Sequence, residues 1–319
     1  MSQVVLVDAF RFGGASFDFE EKSFNKYGVN FIVANAQTEE ALIDQACGAD
    51  ILLTAFAPIT ARVIDAFAGK AIIRYGIGVD NVDLAAASKK GIWVCNVPDY
   101  CVDEVATHTL AMALALSRKL AFYDTLMKKG EWAPMQGYAM HRLSRQTVGL
   151  FGFGRIAQKV AQYFQPLGCA LIAYDPMVEQ NVFERLQVKA VDFEILLQDA
   201  DILSIHAPLT TQTHHLFNSQ TLAKMKDGAF LINTSRGPIT VLEDVLLALQ
   251  KGKLAGAALD VFEKEPPTPA MVEQCKHSNL LTTPHVAYLS VEAMQRLHER
   301  VVETALEVLA GRKPQNVVN

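Results

Sequence analysis

Three side chains that can carry charge follow short apolar segments in the second half of the chain. Arg236 lies in Asn-Thr-Ser-Arg-Gly, Glu265 ends Asp-Val-Phe-Glu-Lys-Glu, and His285 follows Leu-Thr-Thr-Pro. If the apolar segments are parallel strands, all three residues lie at the carboxyl edge of one sheet, where open α/β sheets bind ligands. Arginine can hold a carboxylate through two hydrogen bonds, an imidazolium can protonate an oxygen that becomes negative, and a carboxylate can hold and charge that imidazole. The trio therefore suits the reduction of a 2-oxo acid.

Composition alone does not single out this trio. The chain has eight histidines, and His206, His214 and His215 also lie near the ends of apolar segments. Each of these could be an ordinary surface or strand-end residue. The choice of His285 needs support from elsewhere in the sequence.

A glycine-rich turn, Gly152-Phe-Gly154-Arg-Ile-Ala157, provides part of that support. The apolar segment Val148–Phe151 before it reads as a buried strand, and apolar residues at helical spacing follow it. Gly152 permits a tight turn, Gly154 lacks the Cβ that would collide with a pyrophosphate, and Ala157 lets the helix approach the strand. The helix N-terminus offers N–H groups to phosphates. A glycine turn without a ligand is the alternative.

The position of Asp175 favours the dinucleotide interpretation. It ends a second predicted strand, Leu171–Tyr174, and lies 175 − 154 = 21 residues after Gly154. A carboxylate at this spacing accepts hydrogen bonds from the adenosine ribose. It also repels a 2′-phosphate, and the neighbouring Pro176 and Met177 offer no cation, so the sequence predicts NAD rather than NADP.

A second glycine pair occurs in Arg74-Tyr-Gly76-Ile-Gly78, directly after the predicted strand Ile72–Arg74. The N–H groups of these glycines could hold a carboxylate at a sheet edge. A plain turn that uses glycine for its positive φ explains the spacing equally well. Arg74 could serve a phosphate or be a strand-end charge.

Strand-like and helix-like segments alternate along the whole chain, which predicts an α/β protein with two doubly wound parallel sheets. Pro98 and Ser290 mark candidate hinges. The predicted domains are 1–98 with 290–319, and 99–289, with the ligands in the cleft between them. One long helix is predicted over Cys101–Met127, followed by a polar loop, Gly130–Gln146, packed over neighbouring structure. The predicted strands of the first half are Val4–Val7, Phe31–Val33, Ile51–Thr54, Ile72–Arg74 and Trp93–Cys95.

Composition excludes several classes of partner. The net charge is −5 with a pI near 5.9 and no basic block, so neither nucleic acid nor an anionic membrane is an expected partner. The five cysteines are odd in number and lack ligand spacing, which favours reduced thiols, no metal site and a cytoplasmic location. The first residues form no signal peptide, and the apolar helix Val105–Leu116 is too short to span a bilayer.

Four segments resemble, in order and spacing, the D-isomer-specific 2-hydroxyacid dehydrogenase family. They are the glycine turn, Asn-Thr-Ser-Arg236-Gly, Asp260-Val-Phe-Glu-Lys-Glu265-Pro and Pro284-His285-Val-Ala. The similarity runs along essentially the whole chain. Its stretches Arg74–Asp83 and Asn96–Ala106 look most like bacterial relatives of the C-terminal-binding-protein co-repressors.

The resemblance implies a Rossmann NAD-binding domain inserted into a flavodoxin-like substrate domain, and a homodimer formed through the NAD-binding domain. It implies His285 as acid/base, Glu265 as its partner and Arg236 as the residue that orients the substrate. Gly76, Gly78 and Arg74 become substrate-binding residues, whereas Glu263 matches a variable position and is read as solvated. The residues implied to bind NAD are Gly152, Gly154, Arg155 and Ile156 at the pyrophosphate, Asp175 at the ribose, Ala207, Pro208, Thr213 and Thr234 on the nicotinamide side, and Asp260 at the far end of the cofactor.

Two departures from the family pattern limit what the resemblance implies. Many reductases of the family have small residues after the catalytic histidine, whereas this chain has Ala287-Tyr288-Leu289, so Tyr288 is expected to face the substrate. No C-terminal regulatory domain is expected after the last helix. The main prediction is an NAD-dependent enzyme for a small 2-oxo or 2-hydroxy acid. The alternative is a co-repressor-like dimer that binds NAD with little turnover.

Overall fold

The structure is a computed structural model that describes the chain except for Ala15 and the side chain of Arg11. It divides into two compact units, Met1–Cys101 with Ser290–Asn319, and Val102–Leu289. The sequence placed the first boundary at 98 and the second at 290.

The first unit contains a five-stranded parallel sheet of order β2-β1-β3-β4-β5. This is the flavodoxin-like order that the resemblance implies. Thr38, Thr60 and Asp83 cap the following helices by accepting an N–H from the first turn, which fixes where α2, α3 and α4 begin. The elements are β1 (Gln3–Leu6), α1 (Asp18–Asn25), β2 (Asn30–Val33), α2 (Glu39–Ala46), β3 (Ile51–Thr54), α3 (Ala61–Ala66), β4 (Ala71–Arg74), α4 (Leu84–Lys89) and β5 (Trp93–Cys95).

The second unit begins with two helices where one was predicted, so the single helix over Cys101–Met127 is wrong. These are α5 (Val102–Ser117) and α6 (Leu120–Lys128). The chain breaks at Lys119, which has a left-handed φ of 52°. Its buried ammonium donates to the carbonyl of Gln136 at 2.7 Å and lies 4.8 Å from the ring centre of Tyr138. A charge that must be satisfied by a distant loop ends the helix, and helical periodicity could not reveal that.

A seven-stranded parallel sheet forms the centre of the second unit, in the order β12-β11-β10-β9-β6-β7-β8. From β6 the chain adds β7 and β8 on one side of the sheet and then β9 to β12 on the other. This is the Rossmann topology, and the reversal of strand order creates a switch point beside β6. The elements are β6 (Thr147–Phe151), α7 (Arg155–Phe164), β7 (Ala170–Tyr174), α8 (Gln180–Arg185), β8 (Lys189–Ala190), α9 (Phe193–Asp199), β9 (Ile202–Ile205), α10 (Ser219–Lys224), β10 (Ala229–Asn233), α11 (Leu242–Gln250), β11 (Leu254–Leu259), α12 (Pro269–Gln274) and β12 (Leu280–Thr282).

The last helix, α13 (Val291–Leu309), belongs to the first unit, where it packs on β4 and α1. Its buried side chains Ala293, Leu297, Val301 and Val308 follow helical spacing. The sequence predicted this helix with the same bounds. Among the residues that the structure describes, no helix is both long and apolar enough to cross a membrane.

Candidate active site

The glycine turn joins β6 to α7 at the switch point of the second sheet. Gly152 has φ 86°, and a Cβ there would lie 2.7 Å from the backbone nitrogen of Ala207, so glycine is required at this position. Gly154 is different, because a Cβ there would meet no atom within 4 Å. The space beside Gly154 is open, and α7 begins at the next residue. An open, Cβ-free helix N-terminus is the environment that a pyrophosphate requires.

Asp175 follows β7 and holds the glycine turn in place. Its carboxylate accepts the N–H of Phe153 at 2.8 Å and the N–H of Met177 at 2.9 Å. The residue is half-buried, and a carboxylate has about four acceptor sites, so two bonds leave capacity for ribose hydroxyls. The turn and Asp175 together fit the adenosine and pyrophosphate portions of NAD.

The remaining predicted cofactor residues follow the central strands. Ala207 and Pro208 lie directly after β9, and the Thr213 hydroxyl closes that loop by donating to the carbonyl of Pro208 at 2.7 Å. Thr234 follows β10 and is buried. Arg155 is exposed on the first turn of α7, and the Ile156 side chain packs against the core.

His285 and Glu265 lie together, as predicted. The Nδ1 atom of His285 lies 2.6 Å from Oε2 of Glu265, and each side chain keeps about a quarter of its surface exposed. The other carboxylate oxygen of Glu265 accepts the N–H of Phe262 at 2.9 Å. With the carboxylate at Nδ1, a proton exchanged between this ring and a ligand would pass through the Nε2 atom.

The charge state of Glu265 follows from its surroundings. Burial alone would raise the pKa of Glu265, but the hydrogen bond and charge of His285, the N–H of Phe262 and the charge of Arg236 lower that pKa below its usual value. Since the folded pKa is depressed, the stabilisation is present at neutral pH. It is lost only as pH falls through the lowered pKa. Glu265 is therefore a carboxylate at neutral pH.

Arg236 lies in the tight turn that follows β10. Its Nη1 atom donates to the carbonyl of Ser235 at 2.8 Å, and the amide of Asn233 donates to the carbonyl of Arg236 at 2.9 Å. Gly237 permits this turn, because a Cβ there would lie 1.9 Å from the carbonyl carbon of Phe262. The contact brings the Arg236 turn against the loop that leads to Glu265.

Asp260, predicted to bind NAD, is fully buried and holds the loop that carries His285. It accepts the Thr283 hydroxyl at 2.6 Å and the N–H groups of Val286 and Ala287 at 2.9 and 3.0 Å. The His285 N–H also donates to the Asp260 carbonyl at 2.7 Å. Sequence reasoning missed this role. The available signal was an aspartate at the end of one strand facing a threonine at the end of the next.

The glycine pair of the first unit lies at the end of β4. Gly76 has φ 144°, and a Cβ there would lie 1.3 Å from Nη1 of Arg74. The Arg74 guanidinium therefore lies across Gly76, where it donates to the carbonyl of Tyr75 at 2.8 Å and faces the ring of Phe56. Gly78 follows on the same loop and is half-buried.

Tyr75 is a buried residue to which the sequence analysis assigned no role, and its side chain holds this loop in place. Its hydroxyl donates to the buried carboxylate of Glu20 at 2.9 Å, and the same carboxylate oxygen contacts His298 of α13. Burial, followed by the charge and hydrogen bond of Glu20, raises the pKa of Tyr75 well above its ordinary value. Tyr75 is a structural hydroxyl at neutral pH.

Tyr288 follows His285 on the same loop, and Glu263 precedes Glu265. The ring of Tyr288 stands edge-on to the imidazole of His285, with 6.0 Å between ring centres. Glu263 is exposed, as predicted, and its carboxylate also lies 3.1 Å from Nε2 of His215. This pair joins the loop after β9 to the loop after β11. Within the described ranges 1–14 and 16–319, no group of three or more His, Cys, Asp or Glu residues could hold a metal ion.

Comparisons with known proteins agree with this geometry. The family model described as D-isomer specific 2-hydroxyacid dehydrogenase, NAD binding domain, matches residues 110–287. A glyoxylate reductase of Thermofilum pendens is 38% identical over 266 residues, which cover 82% of this chain and 78% of the relative. A hydroxypyruvate reductase of Thermotoga maritima is 37% identical over 253 residues, which cover 79% of this chain and 81% of the relative.

Longer relatives and solved structures extend the comparison. A D-3-phosphoglycerate dehydrogenase of Archaeoglobus fulgidus is 35% identical over 92% of this chain but 56% of the relative, so the chain spans about half of that protein. The structure of D-lactate dehydrogenase from Aquifex aeolicus, complexed with NAD and lactic acid, matches with a TM-score of 0.87 and 26% identity. That match covers 97% of this chain and 96% of the other.

The chain belongs to the D-isomer specific 2-hydroxyacid dehydrogenase family. It is an NAD-dependent oxidoreductase that acts on the CH–OH group of donors.

Proposed function

We propose that the protein interconverts a small 2-oxo acid and its D-2-hydroxy acid, with His285 as acid/base, Glu265 as its partner and Arg236 as the residue that orients the substrate carboxylate. The observation that carries this proposal is the 2.6 Å contact between His285 and Glu265 beside the Arg236 turn. NAD(H), when bound, supplies or accepts the hydride.

Each residue has a defined task in the reductive direction. The imidazolium of His285 gives its Nε2 proton to the oxygen that becomes negative when the 2-oxo carbon is reduced. Glu265 stays ionised and favours the protonated ring. The guanidinium of Arg236 binds the substrate carboxylate, for which a bidentate arginine is well suited. In the oxidative direction, neutral His285 accepts the hydroxyl proton.

The cofactor roles follow from position within the second unit. We propose that Gly152, Gly154, Arg155 and Ile156 line the pyrophosphate and that Asp175 binds the ribose. The edge of the sheet that carries His285 takes the nicotinamide, with Ala207, Pro208, Thr213 and Thr234 beside it and Asp260 at the far end of the cofactor. The open space at Gly154 and the remaining acceptor capacity of Asp175 support this direction of binding.

We propose that Gly76 and Gly78 bind the substrate carboxylate and that Arg74 and Tyr288 determine which substituents on the 2-oxo acid are accepted. Arg74 is already engaged by the carbonyl of Tyr75 and the ring of Phe56, whereas the Tyr288 ring offers an apolar face next to His285. Burial of apolar area yields about 25 cal/mol per Å². The preferred substrates are therefore hydroxypyruvate, glyoxylate or 2-oxo acids with modest apolar chains rather than phosphorylated acids.

A homodimer formed through the second unit is part of the proposal. Met127 and Trp132 have 56% and 81% of their surface exposed, and with Met140 they line a surface cavity of about 230 Å³. Met135, which is 94% exposed, follows Pro134 of the same lining. Exposed apolar surfaces of this kind mark protein interfaces. Replacement of Trp132 by Ser should yield monomers in light scattering, while a wild-type monomer would contradict the dimer.

We also propose that the protein resides in a reducing compartment, the cytoplasm. In the described part of the chain, Cys47, Cys95, Cys169 and Cys275 form no disulfide bond, and Cys95 is buried. Free thiols are retained where disulfides do not persist.

Absorbance at 340 nm with NADH and a panel of 2-oxo acids tests the proposed activity. The panel should contain glyoxylate, hydroxypyruvate, an alkyl 2-oxo acid and 3-phosphohydroxypyruvate. We expect NADH oxidation with at least one unphosphorylated acid. NADH binding without turnover on any acid would favour the co-repressor-like alternative. A tenfold preference for the phosphorylated acid would show that Arg74 sets the choice.

A further inference from the structure

The apolar helix α5 carries three consecutive polar residues, Thr107, His108 and Thr109, that neither its packing nor the proposed function explains. Thr107 is exposed, and its hydroxyl donates to the carbonyl of Asp103 within the helix. His108 instead contacts the loop that follows β12, and Thr109, besides its hydrogen bond within the helix, contacts the loop that follows β10.

The contact of His108 has a defined direction. Thr283 has one hydroxyl proton, and it donates that proton to the carboxylate of Asp260, which can only accept, at 2.6 Å. The Nε2 atom of His108 lies 3.0 Å from the Thr283 oxygen, so it must be the donor. His108, Thr283 and Asp260 therefore form one chain of hydrogen bonds. Nε2 of His108 is also 3.8 Å from Oδ1 of Asp260.

This chain ends at the backbone of His285. His285 has φ 53°, a left-handed backbone conformation that residues other than glycine rarely adopt. The conformation is held because Asp260 receives the N–H groups of Val286 and Ala287 on its carboxylate and that of His285 on its carbonyl. A change in the orientation of the Asp260 carboxylate would move the imidazole.

Thr109 makes the corresponding contact with the other loop. It is fully buried, and its hydroxyl donates to the carbonyl of Val105 at 2.8 Å. Its oxygen lies 2.9 Å from that of Thr234, so Thr234 must donate to it. Thr234 is two residues before Arg236 in the turn after β10, so Thr109 anchors that turn to α5.

We propose that His108 and Thr109 are positioning residues for the reaction, with His108 setting the imidazole of His285 through Thr283 and Asp260, and Thr109 setting the Arg236 turn through Thr234. Neighbouring residues on one helix then align the proton donor and the carboxylate-binding residue. This proposal rests on the proposed roles of His285 and Arg236.

The first test compares His108→Leu with His108→Gln, whose amide can still donate to Thr283. We expect His108→Leu to lower kcat by at least about 10-fold, since displacement of a reacting group by about 1 Å can cost ~10²-fold. NADH affinity, measured by fluorescence, should change much less than kcat, because the Gly152–Gly154 turn proposed for the pyrophosphate is untouched. His108→Gln should recover most of kcat.

The second test compares Thr109→Val, which keeps the shape of the side chain, with Thr109→Ser, which keeps the hydroxyl. We expect Thr109→Val mainly to raise the KM for the 2-oxo acid, by about 3- to 10-fold, because a neutral hydrogen bond is worth roughly a factor of that size. Thr109→Ser should stay close to wild type. Thr107→Val, on the same helix turn, is the matched control and should change neither constant.

The outcomes separate this proposal from the proposed function. A kcat within twofold of wild type for His108→Leu, or equal losses in His108→Leu and His108→Gln, would overturn the role of His108. A KM for Thr109→Val equal to that of Thr107→Val would overturn the role of Thr109. If His285→Ala were itself fully active, the proposed function would fail first.

Discussion

Two fully buried aspartates, one in each sheet, anchor neighbouring loops in the same way. In the first unit, Asp8 follows β1 and accepts the N–H group of Ala55 at 3.0 Å and those of Phe56 and Ala57 at 2.7 Å each. It also accepts the hydroxyl of Thr54, at 3.4 Å. In the second unit, Asp260 follows β11 and likewise binds one threonine hydroxyl, together with two rather than three N–H groups of the loop after the next strand.

The two anchored loops differ in the side chain that each one holds. The Asp8 loop carries Phe56, which faces the guanidinium of Arg74, whereas the Asp260 loop carries His285, which faces Glu265. In both units, the aspartate at the end of a strand fixes the loop, and the side chain that the loop carries determines what the loop can contact. Asp175 shows a third outcome, since it anchors the glycine turn but stays partly exposed and can also bind a ligand.

Replacement of His285 by Ala should have the largest effect, because it removes the proposed proton donor, by which the two loops differ, and leaves the Asp260 anchor intact. We expect a loss of kcat of ~10²–10⁴-fold with NADH binding retained. Stopped-flow and fluorescence titration measure the two quantities, with His141→Ala, an exposed histidine, as the control. If the variant kept more than half of its kcat, His285 would not be the acid/base.

Replacement of each anchor by Asn compares the loops directly. An amide has only one acceptor oxygen, so either Asp8→Asn or Asp260→Asn leaves a buried N–H without a partner and should lower the free energy of unfolding by about 1–3 kcal/mol. Only Asp260→Asn should also lower kcat, by up to ~10²-fold, because it moves the imidazole. Denaturation and steady-state kinetics of the pair decide the matter. Equal kcat losses in both variants would contradict the distinction.

Replacement of Asp175 by Ser tests the exposed anchor. The change removes the ribose acceptor and the repulsion of a 2′-phosphate, so NAD should weaken and NADP gain in relative terms. The ratio of kcat/KM should shift by ~10-fold or more, as for loss of a hydrogen bond to a charged group. Steady-state kinetics with both cofactors provide the measurement. Wild-type preference for NADPH would be incompatible with the assignment.

Replacement of Glu265 by Gln tests the partner of the anchored histidine. Because the pKa of Glu265 is lowered, it is ionised at neutral pH and favours the imidazolium. Without the negative charge of Glu265, the fall in reduction rate with rising pH should begin at a lower pH than in the wild type. At alkaline pH the variant should be about 10-fold slower than the wild type. Glu263→Gln in the same loop is the control. A pH–rate profile that does not move would count against the pair.

Replacement of Tyr288 by Gly should have the smallest effect. The apolar ring beside His285 favours alkyl substituents, so its loss should narrow the difference in kcat/KM between an alkyl 2-oxo acid and glyoxylate by a few-fold, about what one or two buried methylene groups contribute. Phe56→Ala, in the other anchored loop, is a useful comparison. An unchanged ratio in Tyr288→Gly would remove Tyr288 from the substrate site.

Features that depend on nearby residues could be predicted. The strand before Gly152, the turn, the helix from Arg155 and Asp175 all lie within one β-α-β unit, where spacing in the sequence fixes spacing in the fold. The helices Glu39–Ala46 and Val291–Leu309 were also predicted with their observed bounds. In each case a capping residue and an apolar period mark the element locally.

Features that depend on distant residues could not be predicted. The break at Lys119 depends on the carbonyl of Gln136, and the contact of Glu263 is with His215, which lies in another loop. The polar residues of α5 were visible in the sequence, but their partners Thr234 and Thr283 lie more than a hundred positions away.

The sequence by itself determined the class of fold, the dinucleotide turn and, by resemblance, the three residues proposed for catalysis. Only the tertiary structure decided that Asp260 holds the loop that carries His285 and that α5 contacts both loops. The physical reason is that backbone hydrogen bonding and apolar periodicity act over a few residues, whereas burial of a carboxylate requires donors from strands that become neighbours only when the sheet forms.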